Sequence, residues 1–315
     1  MSVVLFKEDY LDNDVAYLAG MILMRGAFHI ENDIRRLIIE FPYRSLELKT
    51  LPNSKFKGDR ETAIRLSLDQ ARNRIQELLG VDVKIERPKH QVSLIAIFVK
   101  NSMAWRNLMV LFGGKTSFHE FSIPEQILMA PQDLQKDFMR GIADSSSSPN
   151  PNDADQAGVH RVVIEFPHRN WLLPVQVCGL LQKNLGINVS HILWGHPNIR
   201  TPNQKDGKSW AKEHRMRIFA NDFVPIGYNF EYKQKLFSEL VEWNKKHDST
   251  TDTRMCNPKV KKPRNKHPRH KGEKSPELPN EIRRHFDAYF QVCKALGCEQ
   301  GMPSSQTEMF EDEDE

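Results

Sequence analysis

The chain has 315 residues, 39% of them hydrophobic and 27% charged, with a formal net charge of +4 from 45 Lys/Arg and 41 Asp/Glu. That mixture supplies enough apolar mass for about two domain-sized units. It excludes a disordered chain, a membrane-spanning one (no apolar run nears the ~20 residues a bilayer needs) and a disulfide scaffold, because Cys178, Cys256, Cys293 and Cys298 are widely scattered.

The start, MSVVLFKEDYLDND, turns acidic where a signal peptide would stay apolar. The expectation is an intracellular protein, cytoplasmic or nucleoid-associated, with no membrane partner. Residues up to Gly26 read as a helix, followed by Ala27–Ile30 and Leu37–Phe41 as a hairpin. Alternation in the second strand puts Leu37, Ile39 and Phe41 on one face, and Arg36, Ile38 and Glu40 on the other. Pro42 ends that strand because it lacks a ladder donor. Thr62–Leu79 then reads as a helix stopped by Gly80, with Val81–Glu86 and Ser93–Val99 as a second hairpin.

The same order then recurs. Arg36-Leu-Ile-Ile-Glu-Phe-Pro-Tyr-Arg44 returns as Arg161-Val-Val-Ile-Glu-Phe-Pro-His-Arg169, and Arg74-Ile-Gln-Glu-Leu-Leu-Gly-Val-Asp-Val83 as Leu180-Leu-Gln-Lys-Asn-Leu-Gly-Ile-Asn-Val189. Upstream, Leu18-Ala-Gly-Met-Ile22 is matched by Met139-Arg-Gly-Ile-Ala143. Three matched blocks in one order mark a duplicated unit, each a four-stranded antiparallel sheet backed by helices. The offset between blocks falls from 125 to 106, so the first unit carries 19 extra residues within Leu46–Leu68. Matching Ile97-Phe98 to Ile218-Phe219 restores it to 121 and gives the second unit 15 extra residues within Trp194–His214, a basic hairpin tip suited to a groove contact or to a mobile loop.

Tyr232–Lys246 reads as a further helix, with Tyr232, Leu236, Leu240 and Trp243 at helical spacing. Residues 259–274 hold eight Lys/Arg against one acid, a phosphate-seeking tether or a solvated linker. Leu278–Gly297 reads as an amphipathic helix with Asn280 as cap and Ile282, Phe286, Tyr289, Phe290, Cys293 and Leu296 as apolar face. Cys256, His285, Cys293 and Cys298 are candidate zinc ligands, although no Cys-x-x-Cys pair supports them; Cys178 reads as a core thiol.

These residues resemble the LAGLIDADG homing endonucleases over about residues 10–245. Leu18-Ala-Gly-Met-Ile-Leu-Met-Arg-Gly26 with Ala27-Phe28-His29-Ile30 is similar to the first signature helix and the strand after it. Phe138-Met-Arg-Gly-Ile-Ala-Asp-Ser-Ser-Ser147 is similar to the second. The resemblance implies an α+β fold: two pseudo-symmetric αββαββα units in a monomeric pseudo-dimer, residues 1–130 and 131–247, forming a saddle on the major groove of double-stranded DNA. A basic linker (248–276), the short C-terminal helix (277–300) and an acidic tail (301–315) would follow. Ala19, Gly20, Gly141 and Ser145 would let the paired motif helices approach closely.

In active members of that family an acid near the foot of each motif helix holds a divalent metal. Here those positions fall on Arg25 and Ser146, and the motif's other acids on Leu23 and Asp144. A cation repels Mg²⁺ and attracts phosphate, and a hydroxyl is a weak ligand. Asp144 is therefore the one candidate for catalysis and for Mg²⁺, alone or with Asp153 or Asp155; the bland alternative is an Asp that caps or turns a helix end. Glu40 and Glu165 could accept from cytosine amino groups or pair with neighbouring Arg. The candidate DNA contacts are Arg25, Arg36, Arg44, Lys49, Lys84, Arg87, Lys89, Arg161, Arg169, Arg200, Lys205, Lys208, Arg215 and Arg217, with Lys on phosphates and some Arg on guanine. The leading function is a sequence-reading DNA-binding protein with lost or altered chemistry, needing no cofactor to bind. The alternatives are a Mg²⁺-dependent DNA endonuclease or nickase using Asp144, and an RNA-binding intron-splicing cofactor.

Overall fold

The computed structural model describes residues 10–247 other than 48–49, 52–53, 57–58, 152–159, 168–169, 171 and 198–211. The first unit opens with α1 (Asn13–Arg25), N-capped by Asp12, whose side chain accepts from the Val15 amide at 2.8 Å. Every residue from Val15 to Met24 is buried, as expected of a helix that is apolar on all sides. Strands β1 (Gly26–Glu31) and β2 (Ile34–Pro42) form a hairpin whose turn holds Asn32 at φ 52°, a conformation Asn tolerates. A short α2 (Tyr43–Leu46) leads to α3 (Arg60–Leu79), capped by Asp59 and stopped by Gly80 in the left-handed region. Strands β3 (Val83–Glu86) and β4 (Gln91–Val99) complete an antiparallel sheet of order β1-β2-β4-β3, followed by α4 (Met103–Leu111) and α5 (Glu125–Leu128).

The second unit repeats the plan: α6 (Gln132–Ser146), β5 (Ser147–Asn150), β6 (Arg161–Phe166), α7 (Leu172–Gly179) continued as a π-helical turn (Leu180–Asn184), β7 (His191–Pro197), β8 (Lys212–Phe219) and α8 (Glu231–His247). Its sheet runs β5-β6-β8-β7, the counterpart of the first. The fold is the α+β pair of αββαββα units implied by the LAGLIDADG resemblance. Gly186, the counterpart of Gly80, is also left-handed. In β2 the burial alternates as expected, with Leu37, Ile39 and Phe41 buried.

One register differs from expectation. Arg36 stands opposite Ile97 and its counterpart Arg161 opposite Phe219, so Ile97 corresponds to Phe219 and not to Ile218. The core decides this: Ile218 is fully buried and matches inward-facing Ala96, a distinction that two adjacent apolar residues hide in a sequence match. The second unit's insertion therefore gains one residue; most of it lies in 198–211, outside the described residues.

Helices α1 and α6 join the units. A Cβ on Gly20 would collide with the Phe138 carbonyl, and one on Gly141 with the Tyr17 carbonyl. This reciprocity is a pseudo-twofold axis written in backbone contacts, and it bears out the close approach expected of these glycines. No helix among the described residues is long and apolar enough to cross a membrane.

Candidate nucleic-acid interface

The glycine contacts bring the last residues of α1 and α6 to one place. Arg25 Nε donates to Ser146 Oγ at 2.7 Å across the axis. The two positions where the family pattern calls for acids are thus bonded to each other, a cation and a hydroxyl where a hard dication would need carboxylate oxygens.

Asp144, two residues before the end of α6, is fully buried. Its Oδ2 accepts from Tyr17 Oη at 2.7 Å and the Asn229 amide at 3.1 Å, and its Oδ1 from the Phe230 amide at 3.1 Å. The carboxylate thereby holds the free amides before α8, where negative charge is favoured, and ties that helix to α1. Burial pushes its pKa up to about 6, against the nearby Lys233 charge and these hydrogen bonds. A metal could reach Asp144 only by displacing three protein donors from a closed interior. This corrects the expectation of Asp144 as catalytic and Mg²⁺ ligand: it caps a helix, but that of the distant α8 and not its own.

Lys233, on the buried stripe of α8 with Phe237 and Leu240, sends its ammonium to the same spot. Nζ donates to the carbonyls of Asp144 at 2.7 Å and Ser147 at 2.8 Å, filling the C-terminal end of α6 where a cation is favoured. Burial pulls its pKa down to about 8, opposed by the Asp144 charge and reinforced by Arg25. Ser147 Oγ also meets Tyr228 Oη at 2.9 Å. Sequence reasoning missed Lys233 and Tyr17; a Lys on an otherwise apolar helical stripe was the available signal. This donor set does not fit a divalent cation, and among the described residues no group of three or more His, Cys, Asp or Glu could hold one. Asp153, Asp155, Cys256, His285, Cys293 and Cys298 lie outside the described residues.

Glu165 pairs with Arg44 of the first unit and, at 3.2 Å, with Arg215 of its own, so Arg pairing and not base acceptance occupies it here. Arg36 is bonded to Glu31 at 2.8 Å. Lys84, Arg87 and Lys89 are exposed along β3 and the turn after it. Arg161 and Arg217 are not the surface cations expected: they are 4% and 8% exposed, with the Arg161 guanidinium stacked 4.8 Å from the Phe219 ring centre. A planar, weakly hydrated guanidinium tolerates that burial better than an ammonium would. Their basic character made them candidates, but sequence alone could not tell whether the sheet face that carries them was open. Lys49, Arg169, Arg200, Lys205 and Lys208 lie outside the described residues.

No protein-family model and no curated protein matches the chain. Among solved structures it is similar to full-length DUF199/WhiA from Thermatoga maritima, at 14% identity and TM-score 0.43, over 80% of this chain and 65% of that one, just under two thirds of its length. It is similar to the N-terminal LAGLIDADG domain of DUF199/WhiA, at 14% identity and TM-score 0.37, over 76% of this chain and 84% of that one. It is also similar to the homing endonuclease I-DmoI in complex with DNA and Mn, at 13% identity and TM-score 0.34, over 68% of this chain and 95% of that one.

Proposed function

We propose that the chain is a double-stranded-DNA-binding protein of LAGLIDADG-like build that reads sequence through its sheets and does not use divalent metal to cut. The observation that carries this reading is the Arg25–Ser146 bond at the joined feet of α1 and α6. It sets a guanidinium on the axis where a duplex across two symmetric sheets would bring its phosphates closest together, and a guanidinium is suited to phosphate and unsuited to Mg²⁺. The exposed Lys84, Arg87 and Lys89 add cations beside one sheet. The protein acts as a single-chain pseudo-dimer and needs no cofactor to bind.

The test exposes the full chain to a randomised duplex library with Mg²⁺, with Mn²⁺ and with chelator, and sequences both bound and cut fragments. The expected outcome is one consensus, equally retained under chelation, with no cuts. Metal-dependent cuts at that consensus would establish the endonuclease reading instead. Retention of structured RNA over duplex at matched salt would establish an RNA partner.

A further inference from the structure

Laid out by register, the outward residues of the first sheet form four rows. Ile34 stands between Glu31 and Val99, Arg36 between His29 and Ile97, Ile38 between Ala27 and Ile95 with Lys84 beyond, and Glu40 opposite Ser93 with Glu86 beyond it. Directly opposed residues share a face, and successive rows lie two residues apart. Five aliphatic side chains therefore stand on the side turned away from the core. Ile34 is 43% and Val99 75% exposed, while Ile38, Ile95 and Ile97 are half-buried. A sheet face turned only to water would carry polar residues at these positions.

The charges around this apolar patch are ordered too. Glu40 and Glu86 flank Ser93 in one row, Arg36 is held by Glu31, and the exposed Lys84, Arg87 and Lys89 border the sheet on the β3 side. In the major groove the thymine C5-methyl is the apolar group and the cytosine N4 amino group is a donor that a carboxylate can accept. Guanine calls for a free Arg or Lys, and among the described residues of these rows the two cations are the paired Arg36 and the edge residue Lys84.

We infer that the first sheet reads a pyrimidine-rich half-site, with thymine methyls against Ile34, Ile38, Ile95, Ile97 and Val99, and cytosine amino groups against Glu40 or Glu86. This rests on the DNA-binding reading above. Rows recur about every 6.7 Å along a strand, roughly twice the 3.4 Å rise between base pairs, so a strand lying along the groove presents one row to every second pair. Gly26, next to the foot of α1, pairs with Ile39, which puts the Glu40 row nearest the axis. The half-site thus begins with cytosine beside the centre and continues with thymines at alternate positions. The second sheet has Arg217 and Arg215 where the first has Ile95 and Ser93, with Arg217 buried and Arg215 paired with Glu165, so its face does not repeat the apolar patch of the first.

The test remakes the selected duplex with deoxyuridine for thymine in one half at a time, which removes the methyl and keeps the pairing, and measures affinity at fixed salt. The expected result is about fourfold weaker binding per methyl lost beneath the first sheet, and little change in the other half. Ile38→Ala and Ile97→Ala, at half-buried positions, should each shrink the deoxyuridine penalty at one position and leave it intact at the others, whatever they do to overall affinity. Specific binding that ignores deoxyuridine, or a guanine-rich strand under the first sheet, would overturn this inference and leave DNA binding standing. Retention of no duplex at all would overturn the DNA reading and this inference with it.

Discussion

Replacing Gly20 by alanine tests the axis directly. The added methyl carbon would lie 2.0 Å from the Phe138 carbonyl oxygen and 3.0 Å from the Ile142 nitrogen. Both are backbone atoms of α6, so no rotamer change relieves the clash, and the helices must part by about 1–1.5 Å to regain van der Waals separation. Leu18, Met21, Ile22, Phe138, Met139 and Ile142 are essentially fully buried on these two helices and would lose contact along the seam. A gap of only about 0.5–1 Å already forfeits roughly a quarter to a half of a contact's attraction, so the expected cost is at the upper end of the usual overpacking range, about 3 kcal/mol. In a chain of this size that lowers Tm by roughly 4–6 °C. Gly141→Ala should cost as much, because its contact with the Tyr17 carbonyl mirrors the first. The double variant is the sharper measurement: once one methyl has parted the helices, the second finds room, and the combined loss should fall well short of the sum. Urea unfolding of the four proteins reads this. Single losses under about 1 kcal/mol, or strict additivity, would refute a shared seam of backbone contacts.

Restoring acids with Arg25→Asp and Ser146→Asp together should create a destabilised protein whose Tm rises on adding Mg²⁺, while the parent's Tm stays flat; a parent that responds equally would contradict the reading of the axis. Lys233→Met keeps the bulk but strips the donor from the Asp144 and Ser147 carbonyls, and should cost about 2–4 kcal/mol in urea unfolding. Asp144 has a folded pKa near 6 against an ordinary 3.8, so the stability it lends is fully present below about pH 3.8 and is lost as pH rises through 6, a swing of about 3 kcal/mol. Asp144→Asn should remove that slope whatever it does to overall stability, and an unchanged slope between pH 4 and 6 would assign the titration elsewhere.

The repeated blocks made the fold legible, because identical residues at matched spacing must serve the same backbone geometry twice: Gly80 and Gly186 stop their helices alike, and Leu37, Ile39 and Phe41 turn inward as alternation required. The register of β8 escaped by one residue because Ile218 and Phe219 are both apolar and only pairing with β6 separates them. Asp144 escaped differently. As a lone acid at the end of a motif helix it looked like chemistry, yet its amide donors, Asn229 and Phe230, come from more than eighty residues away. Arg161 and Arg217 were placed on the correct strands, but exposure belongs to whatever lies over a face, which periodicity along a strand does not encode.

The seam between α1 and α6 also dictates an order of events as the chain is made. Arg25 and Ser146, which meet across it, are 121 positions apart. At ordinary synthesis rates of about 5–20 residues per second, α1 is complete roughly 6–24 s before its partner exists. Throughout that interval a helix buried from Val15 to Met24 in the finished protein has only its own sheet to cover it, and the side bearing Gly20 stays bare. The nascent first half is therefore sticky by construction until the second copy of the motif arrives to cover it.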